Sequence, residues 1–372
     1  MIMMVNKERL VQTFLEIVKV NSQTKNERAM ADYLKGKLSE LALAVKEDNA
    51  GEAFGGNAGN VLARMEGNAD KTALLLSAHM DRVAPGENIR PVVEGDMIKS
   101  GGDTILGADD GAGLAVILEV LQVLQENNMQ HGLLEIVFTV AEEGGLNGSK
   151  ALAVESLVAK QAVIFDSSGD AGVVINQAPA QDEIIVRIYG QAAHAGVAPE
   201  KGVNAIVLAA KAIARMQVGR LDEETTTNIG VISGGKATNI VPDFVEVRGE
   251  ARSFREEKLR KATESMVAAF TAAAAEENGR VEMDVKRLYA AYHHPEDHKL
   301  LQLVKKAGDA VGLKVIIQSS GGGSDANILN EKGIDAVNLG VGNGEVHTLQ
   351  EFQKISELVK AAEMAVKIVE FA

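Results

Sequence analysis

Apolar residues near the start of the chain recur at helical spacing. Leu10, Phe14, Ile17 and Val18 are followed by Leu34, Leu38 and Leu41, which predicts helix over residues 7–45. From there the pattern changes to short apolar runs. Leu74 to Ala78, Leu133 to Val140, Ala162 to Phe165 and Val315 to Ile317 are mostly apolar on consecutive residues. A strand that is apolar on both faces is buried on both faces, as in a parallel sheet covered by helices. Between these runs lies a helix candidate, Gly113 to Gln125, rich in Leu, Val and Ile. The pattern predicts an α/β sandwich around a central, largely parallel sheet.

The middle of the chain follows a different rule. Ile184, Val186 and Ile188 alternate with Ile185, Arg187 and Tyr189, and Val245, Val247, Gly249 and Ala251 alternate with Glu246, Arg248, Glu250 and Arg252. Val281, Met283 and Val285 do the same with Glu282, Asp284 and Lys286. Period-2 alternation marks strands with one solvated face. With a further strand at Asn228–Ile232 and helices at Ala205–Met216 and Glu256–Glu277, the order over about 182–288 is β-α-β-β-α-β, a ferredoxin-like arrangement. The sandwich pattern resumes from Pro295. The expected organisation is a small α+β domain (181–290) inserted into a larger one (1–180 and 291–372).

Composition narrows the chemistry. The 372 residues include 38 Lys and Arg against 52 Asp and Glu, a net charge of −14. Such an excess argues against a nucleic-acid partner or an anionic membrane surface. There is no cysteine, so disulfides, thiolate catalysis and Cys-ligated zinc are excluded. No apolar run approaches the roughly 18 residues of a membrane span, and the apolar stretch Met1 to Val5 is too short for a signal peptide. The expected setting is the cytoplasm.

Any metal site must then be built from His, Asp and Glu. His79 ends an apolar strand, and Asp81 follows it. Asp109 and Asp110 sit in Gly107–Gly113, just before the long helix, where acids can also serve as caps. Glu142 and Glu143 follow the strand 133–140, and adjacent carboxylates repel unless a cation lies between them. Asp166 follows the strand 162–165, and His347 follows Leu339–Gly342. In open α/β sheets ligands bind beyond the carboxyl ends of the strands, which places His79, Asp109, Glu143, Asp166 and His347 on one rim. Two imidazoles and three carboxylates, one of them shared, suit a pair of zinc ions. Glu142 is left free to take a proton from water, and the set points to hydrolysis of an amide.

The strings Ser77-Ala78-His79-Met80-Asp81, Gly107-Ala108-Asp109-Asp110-Gly111, Ala141-Glu142-Glu143-Gly144 and Gln191-Ala192-Ala193-His194-Ala195-Gly196 resemble the co-catalytic zinc exopeptidases. That family includes peptidase T, dipeptidases, glutamate carboxypeptidases and aminoacylases. The resemblance runs through nearly the whole chain and is strongest to the peptidase T branch. It implies that His79, Asp109 and Asp166 bind one zinc, and that Asp109, Glu143 and His347 bind the other. Cobalt or manganese are possible substitutes.

It further implies that Asp81 holds the His79 ring in its ligating tautomer, that Glu142 is the general base, and that the Asp109–Asp110 peptide is cis. His194, whose equivalent in dimeric relatives reaches the neighbouring subunit's site, Asn239 and Arg252 are implied to bind substrate. Ser319 to Asp325 resembles a glycine-rich substrate loop. The implied function is removal of the N-terminal residue from tripeptides by a homodimer joined through the inserted lid domain. A dipeptidase, a carboxypeptidase or a deacylase on the same scaffold is the alternative, and a catalytically inactive peptide-binding protein the remote one. Arg82 departs from the small hydroxyl residue found in many relatives. It is expected to face an acidic substrate group, a neighbouring carboxylate or solvent. His131, His293, His294 and His298 match no motif, and the last three are expected at the surface.

Overall fold

The computed structural model describes residues 5–372, and Met1–Met4 of the apolar N-terminus lie outside the described residues. The chain divides into two compact units. One comprises residues up to 176, 293–320 and 324–372, and the other residues 177–292 with 321–323.

The larger unit is built on a mixed sheet. Its strands run in the order Ala44–Glu47, Val61–Met65, Leu134–Thr139, Leu74–His79, Gln161–Ser167, Asp335–Gly340, Val173–Ala178. The four strands from Leu134–Thr139 to Asp335–Gly340 are mutually parallel. Leu74–His79 and Leu134–Thr139 are buried at every position, as consecutive apolar residues require. From one face, Leu74, Leu76, Ile136, Phe138, Val163 and Phe165 enter a core shared with Leu10, Phe14, Ile117, Leu121, Leu358 and Ala362 of three helices, Lys7–Lys19, Ala108–Glu126 and Ile355–Phe371. Each such leucine or phenylalanine contributes about 1.5–3 kcal/mol by leaving water.

The helix Ala108–Glu126 is buried nearly all round. Its Glu119 is buried too and pairs with Arg9, whose Nε and Nη2 donate to it at 2.7 and 2.8 Å. A separate small sheet of Pro91–Glu94, Met97–Ser100, Phe352–Lys354 and Asn343–Gly344 fixes the segment that carries His347.

Three local expectations are corrected. Residues 7–45 are not one helical run but the helices Lys7–Lys19 and Arg28–Glu40 with a strand at Ala44–Glu47. The polar stretch Asn21–Asn26 offers no apolar face to bury, and Lys25 takes a left-handed φ of 74°. Ile316–Ser319 is a strand beside Val173–Ala178, but it is largely exposed rather than buried on both faces. The strand expected at Leu339–Gly342 begins earlier, at Asp335–Gly340, and its start is hidden in the sequence because Asp335 and Asn338 interrupt the apolar run.

In the smaller unit, an antiparallel sheet runs Gly219–Arg220, Thr225–Gly234, Phe244–Ser253, Ala180–Tyr189, Arg280–Tyr289. The helices Ala205–Ala214 and Glu256–Glu276 share a core with Ile184, Val186, Ile188, Val245, Val247 and Ala251. Leaving aside the two-residue strand, the chain order is β-α-β-β-α-β and the spatial order is 4-1-3-2. The protein is therefore an α/β chain whose mostly parallel sheet is accompanied by a separate antiparallel, ferredoxin-like α+β unit. Among the described residues, no helix is long and apolar enough to cross a membrane.

Candidate active site

Parallel register sets the site. His79 pairs with Thr139, and Ser77 with Ile164, so the carboxyl ends of adjacent strands finish at one level. His79 is the last residue of its strand, and Asp166 the last but one of the next. Glu142 and Glu143 follow Thr139 through a turn in which Ala141 has φ 49°. Asp109 stands at the start of the long helix in a non-helical conformation, and the Asp109–Asp110 peptide is cis. The Asp110 carboxylate accepts from the Gly113 amide at 3.0 Å and the His79 amide at 3.1 Å, which ties this helix start to the strand end.

The side chains converge in two sets that share one carboxylate. His79 Nε2 lies 2.9 Å from Asp109 Oδ1 and 3.6 Å from Asp166 Oδ1. His347 Nε2 lies 3.2 Å from Asp109 Oδ2 and 2.7 Å from Glu143 Oε1. In each of the sets His79–Asp109–Asp166 and Asp109–Glu143–His347, the donor atoms lie within 4.8 Å of one another, as they do in His79–Glu142–Glu143. His79 Nδ1 donates to the Asp81 carbonyl at 2.9 Å, so Nε2 is the ring nitrogen turned toward the carboxylates.

The Asp81 carboxylate is 3.6 Å from the same ring. It also accepts the Glu142 and Glu143 amides at 2.8 and 3.2 Å and the Thr24 hydroxyl at 2.8 Å. Asp81 thus anchors the turn that presents the two glutamates, a role its position after His79 did not reveal.

The electrostatics fit a divalent cation. Burial, reinforced by Asp166, Asp325 and Glu143, pushes the Glu142 carboxyl well above its usual range. Burial, with Asp109 and Asp325, lifts Asp166 to about 7. Burial also opposes ionisation of Asp109, but the hydrogen bonds from His347 and His79 outweigh it and hold its carboxyl low. Hydrogen bonds to Asp109 and Glu143 raise His347 to about 10. Clustered carboxylates that resist ionising beside one another, faced by imidazole nitrogens and no thiolate, are a donor set for zinc, cobalt or manganese.

Several residues around the site had no role assigned to them individually from sequence. The Asp166 amide donates to Asn338 Oδ1 at 2.8 Å, from the part of the strand Asp335–Gly340 that precedes the expected run. The buried Asp325 accepts from the Thr139 hydroxyl at 2.5 Å. The buried Glu351 accepts three amides of the loop that leads into Asp109. Arg82 does not face solvent, and the neighbouring carboxylates Glu351 and Asp81 act on it through space. It is buried, its Nη1 donates to the Val18 carbonyl at 2.8 Å at a helix C-terminus, and burial lowers its pKa to about 10.

His294 is likewise buried, not at the surface, and its Nε2 lies 2.9 Å from Asn330 Oδ1. It stacks on His298 with ring centres 4.4 Å apart, and His298 Nε2 is 3.3 Å from Asp335. His131 is also buried, with Nδ1 on the Gly132 carbonyl.

The three predicted substrate residues belong to the smaller unit. His194 and Asn239 are exposed, and the Ala195 amide donates to the Asn239 carbonyl at 3.0 Å, so their loops adjoin. Arg252 is half-buried and pairs in a bidentate manner with Glu250, at 2.9 and 3.0 Å. In the loop 319–325, Ser324 caps the helix Asp325–Glu331.

Comparison with known proteins agrees with this geometry. The model of a family described as Peptidase family M20/M25/M40 matches residues 75–370. The uncharacterized protein YqjE of Bacillus subtilis is 45% identical over 369 residues, covering 99% of this chain and 100% of that protein. The solved aminopeptidase PepT of Bacillus cereus is 43% identical with a TM-score of 0.90, covering 99% of each chain. A tripeptidase structure from Staphylococcus aureus is 41% identical with a TM-score of 0.94, covering 99% of this chain and 98% of that one. The matched span takes in every residue of the convergent imidazole and carboxylate set, and the chain belongs to Peptidase family M20/M25/M40 as a metal-binding peptide hydrolase.

Proposed function

We propose that the protein is a two-zinc aminopeptidase that removes the N-terminal residue from tripeptides. The observation that carries the reading is the pair of donor sets meeting at Asp109, whose two oxygens face different histidines. His79, Asp109 and Asp166 would hold one ion, and Asp109, Glu143 and His347 the other. Bound there, the ions supply Lewis-acid polarisation of the scissile carbonyl and acidify water.

The remaining steps belong to side chains. The Glu142 carboxylate takes a proton from the attacking water, and its buried, carboxylate-rich surroundings raise its basicity for that task. It then delivers the proton to the departing amine nitrogen. Asp81 keeps the Glu142 and Glu143 amides in place and, through its carbonyl, sets the His79 tautomer. His194 would polarise the scissile carbonyl, Asn239 would hold the substrate backbone, and Arg252 would bind its carboxylate by exchanging Glu250 for it.

The named activities of the similar Bacillus cereus and Staphylococcus aureus proteins, aminopeptidase and tripeptidase, support the choice of substrate. The acidic, cysteine-free composition supports a cytoplasmic setting. A homodimer through the smaller unit is supported by the strand Thr225–Gly234, whose pairing with Gly219–Arg220 stops at Thr227. Beyond it Val231 and Ile232 are exposed on an open edge.

The test is product analysis by mass spectrometry with zinc-loaded protein and free, N-acetylated and C-amidated trialanine. Release of alanine and an intact C-terminal dipeptide only from substrates with a free amino end is the expected result. Cleavage of the N-acetylated peptide would overturn the aminopeptidase reading in favour of a carboxypeptidase or deacylase.

A further inference from the structure

The buried carboxylate of Glu351 has a set of partners that the reaction itself does not require. Its Oε2 accepts the amides of Leu106 and Gly107, both at 2.7 Å, and its Oε1 accepts the amide of Asp109 at 3.0 Å. Three short bonds to one carboxylate, two of them to adjacent amides, form an anion nest of the kind that fixes a loop's conformation.

The chain positions involved make the arrangement specific. Glu351 lies four residues after His347, and the amides it holds end at Asp109 itself. The two loops are separated by more than 230 residues in sequence, yet His347 Nε2 and Asp109 Oδ2 stand 3.2 Å apart. Gly107, in the middle of the held segment, has φ 72°. A Cβ there would lie 3.0 Å from Arg82 Nη1, so the loop is also backed by a buried cation that cannot retreat while it holds the Val18 carbonyl. The loop is thus pressed between the guanidinium of Arg82 and the carboxylate of Glu351.

We propose that Glu351 is a positioning residue of the metal centre: it locks the loop bearing Asp109 to the loop bearing His347 and so sets the carboxylate shared by the two ions. This rests on the two-metal reading above. Without the clamp, the free Asp109 loop must be ordered by the metal itself, and that cost appears as weaker binding. Glutamine in its place keeps the shape and one oxygen, but turns an NH2 group toward amide donors. Loss of an outer partner of this kind typically weakens metal affinity about 10–100-fold.

The experiment compares wild type, Glu351→Gln and Leu358→Ala by zinc competition against a chromogenic chelator, with thermal melts of the metal-free proteins alongside. Leu358 is fully buried in the core, so its truncation lowers the melting temperature without touching the site. The expected result is zinc affinity about 10–100-fold weaker in Glu351→Gln, with turnover restored by excess zinc, and wild-type affinity in Leu358→Ala. Wild-type affinity in Glu351→Gln, or an equal loss in Leu358→Ala, would overturn the proposal. If wild type itself holds no pair of zinc ions, the two-metal reading fails first and the proposal falls with it.

Discussion

The two units place polar chemistry in opposite ways. In the larger one, strands such as Leu74–His79 and Leu134–Thr139 are buried along their whole length, so a polar side chain inside them needs a buried partner, as Ser77 has in the Val137 carbonyl, and the convergent groups stand where the strands end. His79, Glu142, Glu143 and Asp166 all occupy such ends or the turns just beyond, and each is exceptional for its surroundings. In the smaller unit every second residue of a strand faces outward. Glu246, Arg248, Glu250 and Arg252 therefore form a continuous charged row, and the exposed partners pair among themselves. A functional arginine there looks like its solvated neighbours. Burial on both faces makes chemistry conspicuous, while burial on one face conceals it.

Glu142→Ala is the most severe test of that contrast. It should lower kcat on trialanine by at least about 10²–10⁴-fold, the usual worth of a general base. The zinc content read by elemental analysis should stay near that of wild type. Loss of zinc together with activity would make Glu142 a ligand rather than the base.

The next test compares packing in the two units. Leu76→Ala, at a fully buried position, should cost about 2–5 kcal/mol of unfolding free energy in a denaturant titration. Val231→Ala, on the exposed edge strand Thr225–Gly234, should stay within about 0.5 kcal/mol. Equal costs would mean that this edge of the smaller sheet is covered in solution, as dimerisation through it would require.

Arg252→Met should raise KM for free tripeptide about 10-fold or more with kcat little changed, as expected when a charge-assisted bond made equally in ground and transition states is lost. An unchanged KM would leave Arg252 as Glu250's partner and nothing more.

The smallest effect concerns His294. Burial, aided by the neighbouring His298, lowers its pKa in the folded state, so the unfolded chain binds more protons in that range. Stability should therefore decline as pH falls below about 6.5, the unperturbed histidine value. In thermal melts across that range, His294→Gln should show a shallower decline than wild type. Parallel curves would exclude His294 as its source.

Much of this was legible in the sequence because it is local. Consecutive apolar residues closed by a histidine or acid announced the strands and the rim of the larger sheet. Alternation announced the antiparallel sheet and its two covering helices. What stayed hidden depends on partners far along the chain. Asn338 looks like a polar interruption until its side chain is seen accepting the Asp166 amide. His294 looked like a surface group and Arg82 stayed open between three settings, because burial of a charge or an imidazole is decided by what surrounds it, here the Val18 carbonyl and Asn330.

The sequence by itself determined the α/β class, the order of elements and the set of candidate residues for chemistry. Periodicity and residue type are properties of neighbouring positions. Only the tertiary structure decided that Asp109 stands between the two histidines, that Asp81 grips the glutamate turn and that Glu351 holds the loop before Asp109. These are hydrogen bonds and charge contacts across about 30 to 240 residues of chain. Such contacts are fixed by parallel register and packing, which the pattern of any one segment does not contain.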